Sequence, residues 1–584
     1  MRFFSNLFFL CFTFLLFIAN NSYAQKSYKL EIKASVEKEQ AIISKIKIKN
    51  SFVSQAARKK AIDKFLLSLQ AQSYVLAAID SSIINDKKEI VFISLNEKYQ
   101  WQRLGTGNLN PLVISDIGFQ EKDFQSQDFN YNRLIHIQET IIKYYENHGY
   151  PFAAISLDSI EINKQNISAV FNLDKGPQVY IDTIILNGFN KIHPNYIYQL
   201  LDIKPGDLYD EAQIKKIKTQ LASMPFAQEQ KAYFIEFSED QARINLNLIK
   251  RKTNVFDGII GFQPKSNIDN KMMLTGNLVL KLYNSFERGE MISLNWQSPG
   301  GGSQNLSIGL AYPYLFNSPI GADYSFKLFK QDTSFLNLRN KPGIRFIING
   351  TDYIKVSADL FSSTILSKNL INGIPVNEDQ LDMHSNMGNL ELNLSRFDYS
   401  FNPRKGWRIN LSGGFGSKRI IKQHDIDEHF YDSLNTSSQQ VKLKAHLEYY
   451  IPLFKRQTIR IWSLSEMLKG DNLFSNELYR IGGFSDLKGF NEESLYASTY
   501  SIISIEWRLL LERNSFINVF WNKAYVENGT GTKTTYDQPM GFGAGISFET
   551  KAGIFALSYA LGQQQGNPIE FSQAKIHFGY MAQF

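Results

Sequence analysis

The chain has 584 residues, a formal net charge of +7 with both signs mixed along its length, 14% aromatic residues and a single cysteine. Several domains are expected at this length, and the mild, mixed charge argues against a nucleic-acid partner. Because the one cysteine is Cys11, intramolecular disulfides and cysteine metal sites are excluded.

Residues 1–24 read as a secretory signal peptide. An apolar run from about Leu7 to Ala19 follows one basic residue, and Ser22-Tyr23-Ala24 offers a small-residue cleavage site. The run is short for a spanning helix. Cys11 lies between Leu10 and Phe12, without the small neighbours of a lipid-attachment site. No later apolar run is long enough to cross a membrane as a helix.

The next segment repeats itself. Tyr74-Val-Leu-Ala-Ala-Ile79 returns as Tyr150-Pro-Phe-Ala-Ala-Ile155 and, more degenerately, as Met224-Pro-Phe-Ala227, a period of roughly 75 residues. Leu134, Ile137, Ile141 and Tyr145 fall at helical spacing before Gly149, as do Ile214, Ile217 and Leu221 before the third copy. Alternating runs follow each signature, at Ile90–Leu95, Ile167–Leu173 and Ala242–Leu248. The pattern predicts three α+β modules in series, at 25–102, 103–177 and 178–252. His136, His148 and His193 lack ligand spacing, so no metal, cofactor or catalytic residue is assigned. The stretch Tyr144–Ile155 and the Lys175–Gly188 junction resemble polypeptide-transport-associated (POTRA) domains. The first copy departs from the pattern in its poorly marked first helix. Such a module has a free sheet edge that can accept an extended client as an added strand; spacing and orienting a partner is the plainer alternative.

From about residue 253 to 584 the helical period gives way to strict alternation. Val441, Leu443, Ala445, Leu447 and Tyr449 oppose Lys442, Lys444, His446, Glu448 and Tyr450; Ile503, Ile505, Trp507 and Leu509 oppose Ser504, Glu506 and Arg508. Period two with one apolar face marks strands. About sixteen of them, with aromatics at strand ends, predict a transmembrane antiparallel β-barrel in contact with outer-membrane lipid. Lys575–Phe584 continues the alternation. It resembles the C-terminal targeting strand of bacterial outer-membrane barrels, with His577, Gly579, Ala582 and Phe584 at the motif offsets.

The stretch LYRIGGFSDLKGF, Leu478–Phe490, falls between the predicted eleventh and twelfth strands, in a loop too long for an ordinary hairpin. It resembles the sixth extracellular loop of the BamA/TamA superfamily of outer-membrane assembly and secretion barrels (POTRA domains plus a surface antigen-type barrel). Gly482, Gly483, Gly489 and Phe490 match the motif, and Lys488 stands where the family usually has arginine. The resemblance implies that this cation pairs with an aspartate on the thirteenth strand, where Asn522 stands here; Glu506 is an alternative partner, and Arg508 shares its face. Further similar stretches are Asn284–Glu290, Ala311–Phe316 and Asp398–Trp407. Three modules and a total of 584 residues look closest to the TamA-like branch. The resemblance implies a non-enzymatic outer-membrane protein whose modules sit in the periplasm. It would insert unfolded outer-membrane proteins or translocate secreted ones, with a periplasmic or inner-membrane-anchored partner on the modules. Clients would pair with the module edges and then with the seam between the first and last strands, where Gly258, Gly261 and Gly579 weaken pairing. The alternatives are a dedicated two-partner-type exporter using the lumen and, last, a passive channel.

Overall fold

The computed structural model describes residues 28–85, 87–264, 272–300, 302–367, 370–371, 374–375, 379–399, 402–483, 486–530, 534–550, 553–571 and 574–583. The expected signal peptide and Phe584 lie outside them. Two compact units are present: 1–181 with 206–212 and 237–242, and 182–205 with 213–236 and 243–584.

The first unit holds two modules. In the first, a sheet runs in the order Ser51–Phe52, Tyr28–Ala34, Lys88–Ser94, Ala78–Asn85. Helix Gln55–Gln70 lays Ile62, Phe65 and Leu69 on Leu30, Val91 and Ile93. Ser54 starts this helix by accepting a hydrogen bond from the Ala57 N–H at 3.1 Å, which satisfies one of the amides a helix start leaves without a partner. The other α-helix is only Gln40–Ile43, entered through a 3₁₀ turn at Glu37–Glu39. One turn is too short to show an apolar period, which is why this module was poorly marked in the sequence. The second module repeats the plan. Helix Tyr131–Glu146 buries Leu134, Ile141 and Tyr145 against Trp101 and Phe171, so the predicted 3.6-residue stripe is the packed face. The third module pairs Ala227–Ser238, Gln241–Lys250 and Tyr180–Gly188, with helices Pro194–Leu201 and Glu211–Ala222.

The second unit is dominated by a closed antiparallel barrel. Its sixteen long strands run from the first, Val255–Pro264, to the sixteenth, Lys575–Gln583, with Thr535–Asp537 a short extension on the thirteenth. The alternation sorts side chains by face, as a pleated strand must. On the tenth strand, Ser437–Phe454, Leu443, Leu447 and Tyr449 stand exposed on the outside, while Gln440 and Glu448 are buried on the inside. A barrel with an apolar exterior and a polar interior suits a lipid surround, because closure pairs the backbone groups that lipid cannot satisfy.

The turn after the second strand (Met272–Tyr283) explains the Asn284–Glu290 motif. Buried Glu290 accepts from the amides of Phe286 and Arg288 at 2.6 and 3.1 Å, and Asn284 accepts from the Gly289 amide at 2.8 Å. Asn284 also donates to the Lys191 carbonyl at 2.8 Å. Gly289, at φ +77°, leaves room for Tyr196 of helix Pro194–Leu201: a Cβ there would fall 2.0 Å from that ring. Tyr196 packs edge-on against Tyr314 of the fourth strand (Ser303–Leu315), centroid to centroid 5.4 Å.

Candidate functional site: the lumen loop and the seam

Between the eleventh strand, Gln457–Gly470, and the twelfth, Thr499–Leu510, the chain folds back inside the barrel. The loop carries its own two-stranded ribbon, Tyr479–Ile481 with Leu495–Ala497. Gly482 and Gly483 leave the ribbon at φ +117° and +101°, backbone angles that side chains other than glycine rarely adopt. The tip presses on the wall. A Cβ on Gly489 (φ +100°) would meet the Leu561 carbonyl oxygen of the fifteenth strand, Ile554–Gln563, at 2.6 Å. On the fourteenth, Met540–Glu549, a Cβ on Gly541 would meet the Lys488 carbonyl oxygen at 2.0 Å. Glycine on both sides of the contact lets two backbones touch. Leu487 and Phe490 are buried at this contact in a cluster with Trp462, Ile481, Tyr500, Ile502, Ala524 and Val526. Burying two such side chains contributes about 1.5–3 kcal/mol each.

Asn522, Glu506 and Arg508 lie around Lys488 on the lumen wall. On the thirteenth strand, Phe516–Asn528, Asn522 donates from Nδ2 to the Lys488 backbone carbonyl at 3.2 Å. The Lys488 ammonium lies over the Phe520 ring, 4.4 Å from its centroid. Glu506 and Arg508 bind each other on the twelfth strand, through Nε–Oε1 at 3.0 Å and Nη2–Oε2 at 3.2 Å. Glu506 also accepts from Asn518 at 2.7 Å and pairs with Arg460 at 3.5 Å. Lys488, Glu506, Arg508, Asn518 and Asn522 line one lumen cavity of about 330 Å³.

Sequence reasoning missed the base of the loop. Lys418 of the ninth strand, Gly406–Ile420, is fully buried; its Nζ reaches Glu477 Oε1 at 2.5 Å and the Asn472 carbonyl at 2.8 Å. Gln440 donates to the other Glu477 oxygen at 2.6 Å. The Asn476 side chain donates to Ser363 at 2.6 Å and to the Leu381 carbonyl at 2.9 Å, and its backbone carbonyl accepts from Asn337 at 2.6 Å. The Arg480 guanidinium sits 3.8 Å over Phe329. A polar residue on the inner face of a strand was visible in the alternation; the loop residue it binds was not.

Among the described residues, the seam is the barrel's shortest junction between long strands. The first strand pairs with the second over ten positions, from Val255↔Lys281 to Pro264↔Met272. Among the described residues it pairs with the sixteenth at two, Val255↔Gln583 and Phe256↔Ala582. Gly258 and Gly261 lie on the first strand beyond this pairing, and Gly579 lies on the last strand before it, opposite Ala556 of the fifteenth. Of the C-terminal motif, Ala582 forms one of the seam pairs, and His577 is paired by its backbone with Ser558.

The Omp85 superfamily domain matches residues 284–584. The surface antigen variable number repeat, a POTRA repeat, matches residues 179–249. No curated protein sequence matches the chain. Among solved structures, CdiB from Escherichia coli is 13% identical, covering 91% of this chain and 98% of its own, with a TM-score of 0.52. CdiB from Acinetobacter baumannii gives the same values. BamA from Haemophilus ducreyi lacking POTRA domains 1–3 is 15% identical over 83% of this chain and 100% of its own, with a TM-score of 0.44.

Proposed function

Because the chain belongs to the Omp85 superfamily, we propose that it inserts unfolded outer-membrane proteins or translocates secreted ones, with the barrel in the outer membrane and the modules in the periplasm. Client strands add first to the module edges and then to the seam. The observation that carries this reading is the two-pair junction between first and last strands. Opening a junction costs the hydrogen bonds it holds, so this one parts at lower cost than any full-length pair. A parted seam offers two strand edges to a client in a medium that punishes unpaired backbone. The lumen loop keeps the rest of the wall in shape while this happens. Three modules and a chain of 584 residues favour the TamA-like branch.

A cysteine pair at Phe256 and Ala582 tests it, since register partners in antiparallel strands come within disulfide reach. Oxidation is expected to stop client assembly and reduction to restore it, while the barrel keeps its folded migration on a gel. A locked protein that handles its client at the normal rate sinks the seam reading. It would favour the second one, a dedicated exporter whose client passes through the lumen after the loop withdraws.

A further inference from the structure

On the first module, a groove of about 430 Å³ runs between helix Gln55–Gln70 and the irregular stretch before strand Ser51–Phe52. Its floor is apolar: Ile46, Ile48, Phe52, Ala57, Ala61 and Phe65. Its rim is basic, with Lys47 and Lys49 on the irregular side and Lys60 and Lys64 one turn apart on the helix. The helix has one acid, Asp63. The module's ion pairs join Lys33 and Lys88 to Glu31, and Arg58 to Glu89; among the described residues none reaches the four rim lysines. Lys47, Ile48 and Lys49 also make no backbone hydrogen bond to any described residue, although the neighbouring Asn50 carbonyl accepts from Leu30 at 3.0 Å.

These features ask for one kind of occupant. An apolar floor takes apolar side chains. Four lysines without carboxylate partners favour acidic ones by charge complementarity. A backbone stretch with unused donors and acceptors favours an extended backbone beside it. We infer that this groove is the docking site for a partner-protein segment that is extended and alternates apolar with acidic residues. The inference rests on the reading that the modules receive protein partners, and it adds where one of them binds and by what chemistry.

The test uses the full-length protein in detergent micelles and a fluorescein-labelled peptide of four Val-Glu repeats, followed by fluorescence polarisation. Binding is expected, weakening as salt rises. In the Lys60→Glu/Lys64→Glu variant it should fall at least about tenfold, because two attractive surface pairs become repulsive. The same variant should gain affinity for a peptide of four Val-Lys repeats, an outcome that a misfolded module cannot produce. N-methylating alternate peptide residues should also remove binding, because it removes the backbone donors. Equal affinity of variant and original for the Val-Glu peptide overturns the proposal. So does binding of phosphatidylglycerol vesicles, but not of the peptide, with the same lysine dependence; the groove would then face a membrane. A negative peptide result leaves client assembly and its sensitivity to the seam lock untouched, so the two readings fail separately.

Discussion

Asn522 holds the lumen loop by giving a proton to a backbone carbonyl, and a carboxylate in its place has none to give. The aspartate expected from family resemblance would therefore set two acceptors face to face here, since the Lys488 carbonyl is the atom in contact. Asn522→Asp alone should destabilise the folded barrel by about 1–3 kcal/mol, the cost of leaving a buried polar group without its partner. Lys488→Arg added to it should recover most of the loss, because a guanidinium reaches a carboxylate with a bidentate fork. Urea midpoints of the refolded barrel in detergent measure both. A single variant as stable as the original, or a double variant no better than the single, would show that the amide-to-carbonyl contact does not hold the loop. The exchange of Arg–Asp for Lys–Asn was legible in the sequence as a softened pair. That Asn522 binds the Lys488 backbone carbonyl and that the ammonium lies over Phe520 was not, because both depend on side-chain direction.

As an element, the loop between the eleventh and twelfth strands is anchored at both ends and through its middle. Its glycines were readable, since paired glycines in an otherwise apolar stretch signal close backbone approach or positive φ. Its base was not: Glu477 and its ligand Lys418 are 59 residues apart in sequence, and no local period links a strand to a loop crossing the lumen. Breaking that base on one side only is costly, because it leaves a charge buried without its partner. Lys418→Met removes the cation but leaves Glu477 buried, which costs about 3–5 kcal/mol. Lys418→Met with Glu477→Gln should be much milder, because an amide needs no counter-charge and Gln440 remains within reach. Limited proteolysis of intact cells or micelles reads the outcome: cleavage between 471 and 498 should rise sharply in the single variant and only slightly in the double. Equal protection in both would mean that the ribbon and the Leu487–Phe490 cluster hold the loop without its base.

Across the whole molecule, the alternation from 253 onward predicted strand count and facing, and the three-fold repeat predicted the modules, because both are written in periods of two and of 3.6 residues. Closure is written in neither. Whether the last strand meets the first along its length or only at its end depends on tilt and stagger around the entire barrel, to which every strand contributes. The glycines at 258, 261 and 579 hinted at weakness without giving its extent. The pairing now makes a measurable claim about exchange. In an antiparallel sheet about half of a strand's N–H groups point to each neighbour. First-strand amides directed at the second strand should be protected over all ten pairs, whereas those directed at the sixteenth beyond Phe256 have no partner in the seam. Hydrogen–deuterium exchange of the folded protein in micelles should therefore show fast labelling of roughly half the amides across 257–264 and 575–581, since alternate amides there face the open junction. Peptides from the ninth and tenth strands should stay protected, since those strands pair from Gly406↔Tyr450 to Arg419↔Ser437. Oxidising the Phe256–Ala582 cysteine pair should slow the seam amides without altering the ninth and tenth strands. Seam peptides as protected as those of the ninth strand would mean that the junction is zipped in solution, and lateral entry of a client strand would lose its physical basis.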